Sequence, residues 1–176
     1  MGRTLVANRW LAGSACGKRR RGWPLNSIIS RHMNIRYRFA NPEDADVIAP
    51  MNLQLIHDEG HRNPMDIPAL RDRMSWWLRG NYEAVLFEED GASLGYALFR
   101  RESEFVYLRQ LFVVPNRRRE GVARRALAWL WTNAWSAAPR LRIDVLVGNT
   151  AGREFWRKVG FIEYCVTMEA VSQNAD

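Results

Sequence analysis

A basic loop that separates an apolar run from a helical pattern carries the clearest chemistry in this chain. The apolar run 105–114 stops at Pro115, and the segment 117–123 then reads Arg-Arg-Arg-Glu-Gly-Val-Ala. The first turn of a helix has unpaired backbone N–H groups and the positive end of the helix dipole, and Gly121 lets an anion approach the main chain. The pattern predicts a pyrophosphate site at a helix N-terminus. Arginines that are simply solvated are the alternative.

The sequence lacks the other common signatures of nucleotide and metal sites. It contains neither a G-x-x-x-x-G-K-[ST] loop nor a G-x-G-x-x-G turn after a strand. His57 and His61 lie four residues apart, but no third ligand is evident, so no metal site is predicted. Cys16 and Cys165 have no metal-type spacing and indicate free thiols in a reducing cytoplasm, with Cys165 in the core of a strand.

A second strand–turn–helix pattern follows the basic loop. Residues 141–147 alternate like a strand that ends at Gly148-Asn149, and residues 150–159 indicate a short helix. The motif Arg118-x-x-Gly121-x-Ala123, followed by this asparagine and then by Phe-Trp-Arg-Lys-Val-Gly-Phe over 155–161, resembles the GNAT superfamily of acetyl-CoA-dependent N-acetyltransferases. The resemblance covers roughly residues 34–169.

The elements that must position these motifs form a mixed pattern of helices and strands. Asn41 can cap a helix that begins at Pro42, and the segment 89–93 marks a hairpin between two strands. The order β-α-α-β-β-β-α-β-α-β matches the α/β (α+β) fold of the GNAT type, whose mixed, mostly antiparallel, central sheet is flanked by helices. The predicted strands are 35–39, 84–87, 94–99, 105–114, 141–147 and 161–168, and the later predicted helices are 68–79, 121–135 and 150–159.

The resemblance implies acetyl-CoA as the cosubstrate. Its pantetheine arm would pair with backbone groups of the central strand, and its pyrophosphate would lie on the N–H groups of residues 119–124, with arginine charge added. The amide of Asn149 would bond to the cofactor, and Trp156 would pack against it. The implied cofactor-binding residues are Leu111, Phe112, Val113, Arg118, Arg119, Gly121, Val122, Ala123, Arg124, Asn149 and Trp156.

Transfer to an amine needs a proton acceptor, and many family members also use a tyrosine to protonate the leaving thiolate. Trp156 stands where the family has that tyrosine, and an indole N–H does not supply a proton. Glu104, at the start of the central strand, is a candidate base. Tyr107 or Tyr164 is a candidate acid, with water as the alternative. A backbone N–H near Phe112 would stabilise the oxyanion.

The polar run His57–Arg62, between the first two predicted helices, matches the region that lines the acceptor pocket in the family. Beside His57, the acids Asp58 and Glu59 would favour a cationic amine, and Arg62 could hold a carboxylate. A small-molecule amine, an amino acid or a peptide N-terminus therefore fits as the acceptor. A solvated loop is the alternative.

Charge divides the chain into a basic extension and one domain. Seven of the 26 basic residues lie in residues 1–32, which contain no acid, so the remainder carries 19 basic residues against 19 acidic ones. We expect residues 1–33 to be a disordered extension, 34–170 to be the acetyltransferase domain and 171–176 to be a tail. The extension fits a start upstream of a true initiator at Met33, a basic tail for polyanions, or an organelle presequence.

The folded part carries no net charge that would favour nucleic acid or an anionic membrane, and it has no apolar run long enough to span a bilayer. Trp129, Trp131 and Trp135 do not fit one narrow face of a helix. At least one of them is expected at the surface, where it would suit a homodimer contact.

The sequence therefore predicts a cytoplasmic enzyme that transfers the acetyl group of acetyl-CoA to a primary amine. Enzymatic alternatives use a longer acyl group or a hydroxyl acceptor. A module of the same fold that binds acyl-CoA without turnover is an alternative of another class. So is a nucleic-acid binder that acts through residues 3–31, whose affinity would depend strongly on salt.

Overall fold

The computed structural model describes residues 33–170, which form a five-stranded sheet with helices packed on both faces. The predicted extension, with Cys16, and the predicted tail lie outside the described residues. The strands are β1 (Arg36–Phe39), β2 (Tyr82–Glu89), β3 (Ala92–Arg101), β4 (Val106–Val113) and β5 (Leu141–Arg142). The helices are α1 (Ala45–Glu59), α2 (Ile67–Arg79), α3 (Val122–Asn133) and α4 (Thr150–Lys158), with single 3-10 turns at Pro42–Asp44 and Pro115–Arg117.

The sheet is mixed and mostly antiparallel, which confirms the predicted fold class. Its strands lie in chain order from β1 to β5. Each of the first four strands pairs antiparallel with the next, and β5 alone runs parallel to its neighbour, β4. The crossover between these two parallel strands contains α3, as a parallel connection requires.

Each face of the sheet buries a different pair of helices. Leu108 of β4 lies in one core cluster with Leu127 of α3 and with residues of α4. Phe112 of β4 lies in a second cluster with Ile48 of α1 and Met74 of α2. We call these the α3/α4 face and the α1/α2 face. The single strand β4 therefore contributes residues to two separate cores.

Local hydrogen bonds fix the 3-10 turn Pro42–Asp44 that leads into α1, and a glycine ends that helix. Asn41 Oδ1 accepts from the Asp44 N–H at 3.1 Å, and the Asp44 carboxylate accepts from the Asn41 N–H at 2.8 Å, which forms a capping box. The helix ends at Gly60, whose φ of 63° is left-handed. Since α1 continues through Glu59, the run His57–Glu59 forms its last turn, and the prediction of a loop between the first two helices is wrong for these residues.

A β-bulge in β4 shapes the sheet near its last strand. Leu98 of β3 pairs with Gln110, whereas Phe99 pairs with Leu108, so Arg109 is an extra residue on β4. The insertion shifts the alternation by one residue, and Arg109 and Gln110 both direct their side chains to the α1/α2 face. The pairing of β4 with β5 stops at Tyr107, just before the bulge. The two strands therefore diverge at this point.

The C-terminal strand predicted over 161–168 is absent, and β5 covers two residues instead of the predicted 141–147. The apolar alternation is present, but Ile162, Tyr164, Val166 and Met168 are all exposed, and so is Cys165, which was predicted in the core. A strand forms only beside a partner that satisfies its backbone groups. Because β5 ends at Arg142, the described residues offer this segment no neighbouring strand.

The three tryptophans of the α3 region have different environments. Trp135 is buried, whereas Trp129 and Trp131 are half-buried, and Trp129 stacks on Tyr37 with ring centroids 4.9 Å apart. Use of either half-buried ring in a homodimer contact stays a prediction. Among the helices that the structure describes, none has the length and apolarity needed to cross a membrane.

Candidate active site

The candidate site lies where β4 and β5 diverge. Contacts between the ends of helices and the loop after β4 form it. At the end of α1, Asp58 accepts a hydrogen bond from Arg118, which follows β4. The neighbouring Glu59 accepts a 3.4 Å hydrogen bond from the side chain of Asn149, at the start of α4. The end of α1, the loop after β4 and the start of α4 therefore meet at one place.

The edge of β4 beyond Tyr107 faces away from β3 and has no β5 partner among the described residues. The Val114 N–H donates to the Leu94 carbonyl of β3 at 2.9 Å, so alternation directs the main-chain groups of Val113 and Leu111 to the open edge. The Phe112 carbonyl faces β3, since a Cβ placed on Gly95 would lie 2.0 Å from it. Of the three predicted residues, Leu111 and Val113 therefore present main-chain groups, and Phe112 does not.

The loop after β4 leads to an open helix N-terminus. Gly121, with a φ of 88°, is the N-cap of α3 and has no side chain to offer, and a Cβ there would meet nothing within 4 Å. The first helical bond runs from the Arg125 N–H to the Gly121 carbonyl at 3.0 Å. The preceding N–H groups, those of Val122, Ala123 and Arg124, have no backbone partner within the described part of the chain.

The arginines of this loop divide into paired and unpaired side chains. Arg118 donates from Nε to the Val113 carbonyl at 2.8 Å and from Nη2 to Asp58, so its charge is already balanced. Its role in binding a phosphate stays a prediction, and in this structure it would have to leave Asp58 to fulfil it. Arg119 and Arg124 are exposed, and neither has an acidic partner within residues 33–170.

Asn149 is positioned by the turn that it caps. Its Oδ1 accepts from the Gly152 N–H at 2.8 Å, which begins α4, and its Nδ2 points to Glu59. A Cβ on Gly152 would lie 2.7 Å from the Asn149 amide, so this position needs glycine. An amide nitrogen has two N–H donors. One of them is therefore left for another acceptor in the site.

Glu59 has the chemistry of a proton acceptor. Burial raises its pKa, the Asn149 hydrogen bond opposes that shift, and the nearby Asp58 carboxylate adds to it. Asp58 differs, because hydrogen bonds from Arg118 and Gln54 outweigh its burial and lower its pKa. A carboxylate whose pKa is raised toward neutrality binds protons more tightly and is the better general base.

A polar cluster that the sequence did not reveal lies on the α1/α2 face of the sheet. Asn52 is fully buried, and its Oδ1 accepts from Arg73 Nη2 at 2.9 Å. The Tyr96 hydroxyl, also buried, lies 3.0 Å from Gln110 Oε1 and donates to it. Arg109 lies beside these groups because of the bulge. Asn52 occupies an ordinary helical position, so only tertiary packing shows that it is buried.

Comparison with known proteins gives one family. The profile of the Acetyltransferase (GNAT) family matches residues 52–161, more than half of the chain. The chain belongs to that family. It is therefore an acetyltransferase of the GNAT type, and the resemblance drawn from the two motifs is confirmed. No curated protein sequence matches the chain.

Solved structures share the fold of this GNAT chain. The aminoglycoside N-acetyltransferase AAC(6′)-Iy in complex with CoA is 18% identical, with a TM-score of 0.65 over 83% of this chain and 99% of that one. A ribosomal-protein-alanine N-acetyltransferase from Brucella melitensis biovar Abortus 2308 is 16% identical, with a TM-score of 0.64 over 78% of this chain and 99% of that one. A predicted acetyltransferase with acetyl-CoA from Clostridium acetobutylicum is 18% identical, with a TM-score of 0.63 over 78% of this chain and 96% of that one. Such identities support the fold and leave the acceptor open.

Several residues predicted for catalysis lie outside the site of this GNAT domain. Glu104 pairs with Arg140 at 2.9 Å in the turn before β4, a whole strand away from the loop that follows β4. The Tyr164 side chain is exposed and lies against Arg142, whose guanidinium carbon is 4.7 Å from the ring centroid. Tyr107 lies at the point of divergence and donates to Asp144 at 2.7 Å.

The structure also places Trp156 and Arg62 apart from the residues that it brings together at the site. Trp156 is 8% exposed and packs edge-on between Phe155 and Phe161, so it belongs to the α3/α4 core and not to a cofactor surface. The Arg62 side chain is 81% exposed and pairs with Glu169 at 3.1 Å, away from the other predicted acceptor residues. His57 is exposed. No His, Cys, Asp or Glu group suited to a metal occurs within residues 33–170.

Proposed function

We propose that this enzyme transfers the acetyl group of acetyl-CoA to a primary amine of a small molecule, amino acid or peptide, and that Glu59 accepts the proton. One observation carries the proposal. The divergence of β4 from β5 leaves an open strand edge that leads directly to the uncapped N-terminus of α3. An edge that pairs with amides and a helix end that binds phosphate match the two halves of a CoA molecule.

The main chain supplies most of the proposed cofactor contacts. The Leu111 carbonyl and the Val113 N–H would pair with the amides of the pantetheine arm along the open edge of β4, since the Val113 carbonyl already accepts from Arg118. The N–H groups of residues 122–124 would hold the pyrophosphate, with charge from Arg119 and Arg124. The same fold binds CoA in AAC(6′)-Iy and acetyl-CoA in the Clostridium acetobutylicum protein. Acetyl-CoA would supply a thioester whose carbonyl carbon the amine attacks.

Glu59 would bind the amine and take its proton. Amines are mostly protonated near neutral pH, so the carboxylate first attracts the cation and then accepts one of its protons, which frees the nitrogen lone pair for attack. The second proton, which the nitrogen loses after attack, would pass through water to the leaving thiolate. The raised pKa of Glu59 suits its acceptance of the first proton. The Asn149 amide holds one carboxylate oxygen and leaves the other to the amine. The outward-facing Leu111 N–H is the donor that we assign to the thioester oxygen.

Water is the proton source that we propose for the leaving thiolate. Burial and the hydrogen bond to Asp144 raise the pKa of Tyr107 to about 12. A thiol has a pKa of about 8.5, which is roughly three to four units below the pKa of this phenol. Proton transfer from the phenol to a thiolate is therefore unfavourable. Tyr107 is therefore better suited to stabilising the place where β4 and β5 diverge than to acting as a general acid.

A panel of amines, amino acids and peptides, assayed for CoA release, tests the proposal. We expect turnover with at least one class, and we expect Glu59→Gln to lose it while CoA still binds in calorimetry. Glu154→Gln, which alters an exposed carboxylate on α4, serves as the control. Tight CoA binding without release from any amine would favour a non-catalytic acyl-CoA-binding module. We propose a cytoplasmic location because Cys165 is an exposed free thiol.

A further inference from the structure

Buried hydrogen-bond donors gather on the α1/α2 face of the sheet. The Nε atom of Arg73 is buried without a hydrogen-bond partner, whereas the buried Nδ2 atom of Asn52 is directed to the Tyr96 hydroxyl. They belong to side chains already joined by the 2.9 Å bond from Arg73 to Asn52. Burying a donor without a partner destabilises a fold by about 1–3 kcal/mol. The unpartnered Arg73 Nε therefore indicates that an acceptor belongs beside it.

Two arginines share one aromatic ring at this place. The guanidinium carbons of Arg73 and Arg109 lie 4.6 Å and 4.7 Å from the centroid of the Trp77 ring. Neither arginine has a carboxylate partner among residues 33–170. Burial lowers the pKa of Arg73, and the positive charge of Arg109 lowers it further. Two like charges beside one ring repel each other, and an anion bound between them would remove that repulsion.

The chemistry of the missing partner follows from these groups. We name Asn52, Arg73 and Arg109 the donor cluster. Every unsatisfied atom in it is an N–H donor, so its complement carries acceptors only. A carboxylate has this character and forms paired hydrogen bonds with guanidinium groups. Arg73 is half-buried and Arg109 is exposed, so a ligand from solvent can reach both side chains.

The position of the donor cluster ties it to the reacting centre. Arg109 is the bulged residue of β4, next to the point where β4 and β5 diverge. Asn52 and Glu59 lie seven residues apart on α1, which corresponds to two turns and about 10 Å along the helix axis. A single acceptor molecule therefore can present its amine to Glu59 and an anionic group to the donor cluster.

We infer that the donor cluster binds a carboxylate of the acceptor, so that the enzyme selects amines that carry a carboxylate, namely amino acids or peptides, over amines that lack one. The inference rests on the proposed function for the identity of the amine site. It replaces the exposed Arg62 as the group that holds the carboxylate.

Paired acceptors test this selectivity directly. Lysine and 1,5-diaminopentane, or 6-aminohexanoate and pentylamine, differ by one carboxylate. The dipeptide Gly-Phe and its C-terminal amide extend the comparison to peptides and show whether the carboxylate comes from a free amino acid or from a chain end. We expect kcat/KM to favour the carboxylate member of at least one pair by tenfold or more. Equal values within every pair would overturn the inference.

Substitution of Arg109 distinguishes the loss of carboxylate binding at the donor cluster from a general loss of activity. Arg109 is exposed, so Arg109→Gln should fold. We expect it to lower the ratio of kcat/KM within a pair at least tenfold, through KM. Arg79→Gln changes another exposed arginine, on α2, that has no ion pair in the described chain, and it should leave the ratio unaltered. The same ratio in wild type and Arg109→Gln would contradict the assignment.

A binding measurement keeps the test independent of turnover. Lysine acetylated on its side-chain nitrogen and mono-N-acetyl-1,5-diaminopentane, the two expected products of the first pair, are titrated calorimetrically into the protein with CoA present. We expect the first to bind at least tenfold more tightly and to lose that advantage in Arg109→Gln. If no amine is acetylated but this difference holds, the proposed function fails and the carboxylate site stands. If the two products bind alike, the carboxylate site fails.

Discussion

Replacement of Gly121 by glutamate perturbs the proposed pyrophosphate site most directly. The φ of 88° imposes a strain of about 1–2 kcal/mol on any side chain, but open space surrounds the position, so the fold should tolerate it. The new carboxylate would project where the phosphates lie. Two unit charges about 5 Å apart interact by ~3 kcal/mol at an effective dielectric constant of about 20, and salt reduces this. We expect CoA to bind at least tenfold more weakly, or ~1.4 kcal/mol.

Calorimetric titration of CoA into each folded variant measures the effect, and two further variants isolate its cause. Gly121→Ala introduces the strain without the charge, so it should weaken CoA binding only slightly. Gly160→Glu adds the same charge and a comparable strain at a φ of 95°, also in open space, but at the end of α4. If Gly121→Glu folds and binds CoA as tightly as Gly160→Glu does, the pyrophosphate does not lie at the start of α3.

Four further substitutions address the remaining roles. Glu59→Gln should lower kcat at least about a hundredfold. Because burial raises the pKa of Glu59, this group favours folding at low pH, and that contribution is lost as the pH rises through its folded-state pKa, so the thermal midpoint of the variant should gain on wild type as the pH rises above about 4.3. Tyr107→Phe should keep kcat within about threefold, since a phenol with a pKa of about 12 is a poor acid. Asn149→Ala removes the cap of α4 and should lower the thermal midpoint by about 3–5 °C. Trp156→Phe should reduce the free energy of unfolding by about 1–3 kcal/mol in chemical denaturation without changing kcat beyond about threefold.

The parts of the fold that local chemistry determines were predictable from the sequence. The Asn41 cap, the hairpin after β2 and the glycine that begins α3 each follow from residue type and spacing over a few positions. The motif Arg118-x-x-Gly121-x-Ala123 likewise indicated a helix N-terminus, and the structure has one there. These features depend on contacts between residues close in the chain, which a sequence displays directly.

Residues whose role depends on a distant partner were not predictable in the same way. By sequence, Arg118 belongs to a phosphate-binding motif. In the structure its positive charge is paired with Asp58, sixty residues earlier in the chain. By sequence, Glu104 stands at the start of the central strand. In the structure it precedes β4, whereas the basic loop follows β4 at the other end, and it pairs with Arg140. The alternation over 161–168 indicates a strand, although strand formation depends on whether a neighbouring edge is present. Such outcomes depend on tertiary contacts.

The bulge at Arg109 connects the two halves of the proposed chemistry. In an unbroken strand, alternation would direct Gln110 to the α3/α4 face, and its bond to Tyr96 could not form. With one inserted residue, Arg109 and Gln110 both face α1 and α2, where Arg73 Nε lacks an acceptor. The same insertion coincides with the end of β5 pairing, next to the edge proposed for pantetheine. Under the two proposals one backbone irregularity would serve both the cofactor edge and the charge that meets the acceptor, so we expect removal of the bulge to lower acceptor selectivity in kcat/KM and CoA affinity in calorimetry together.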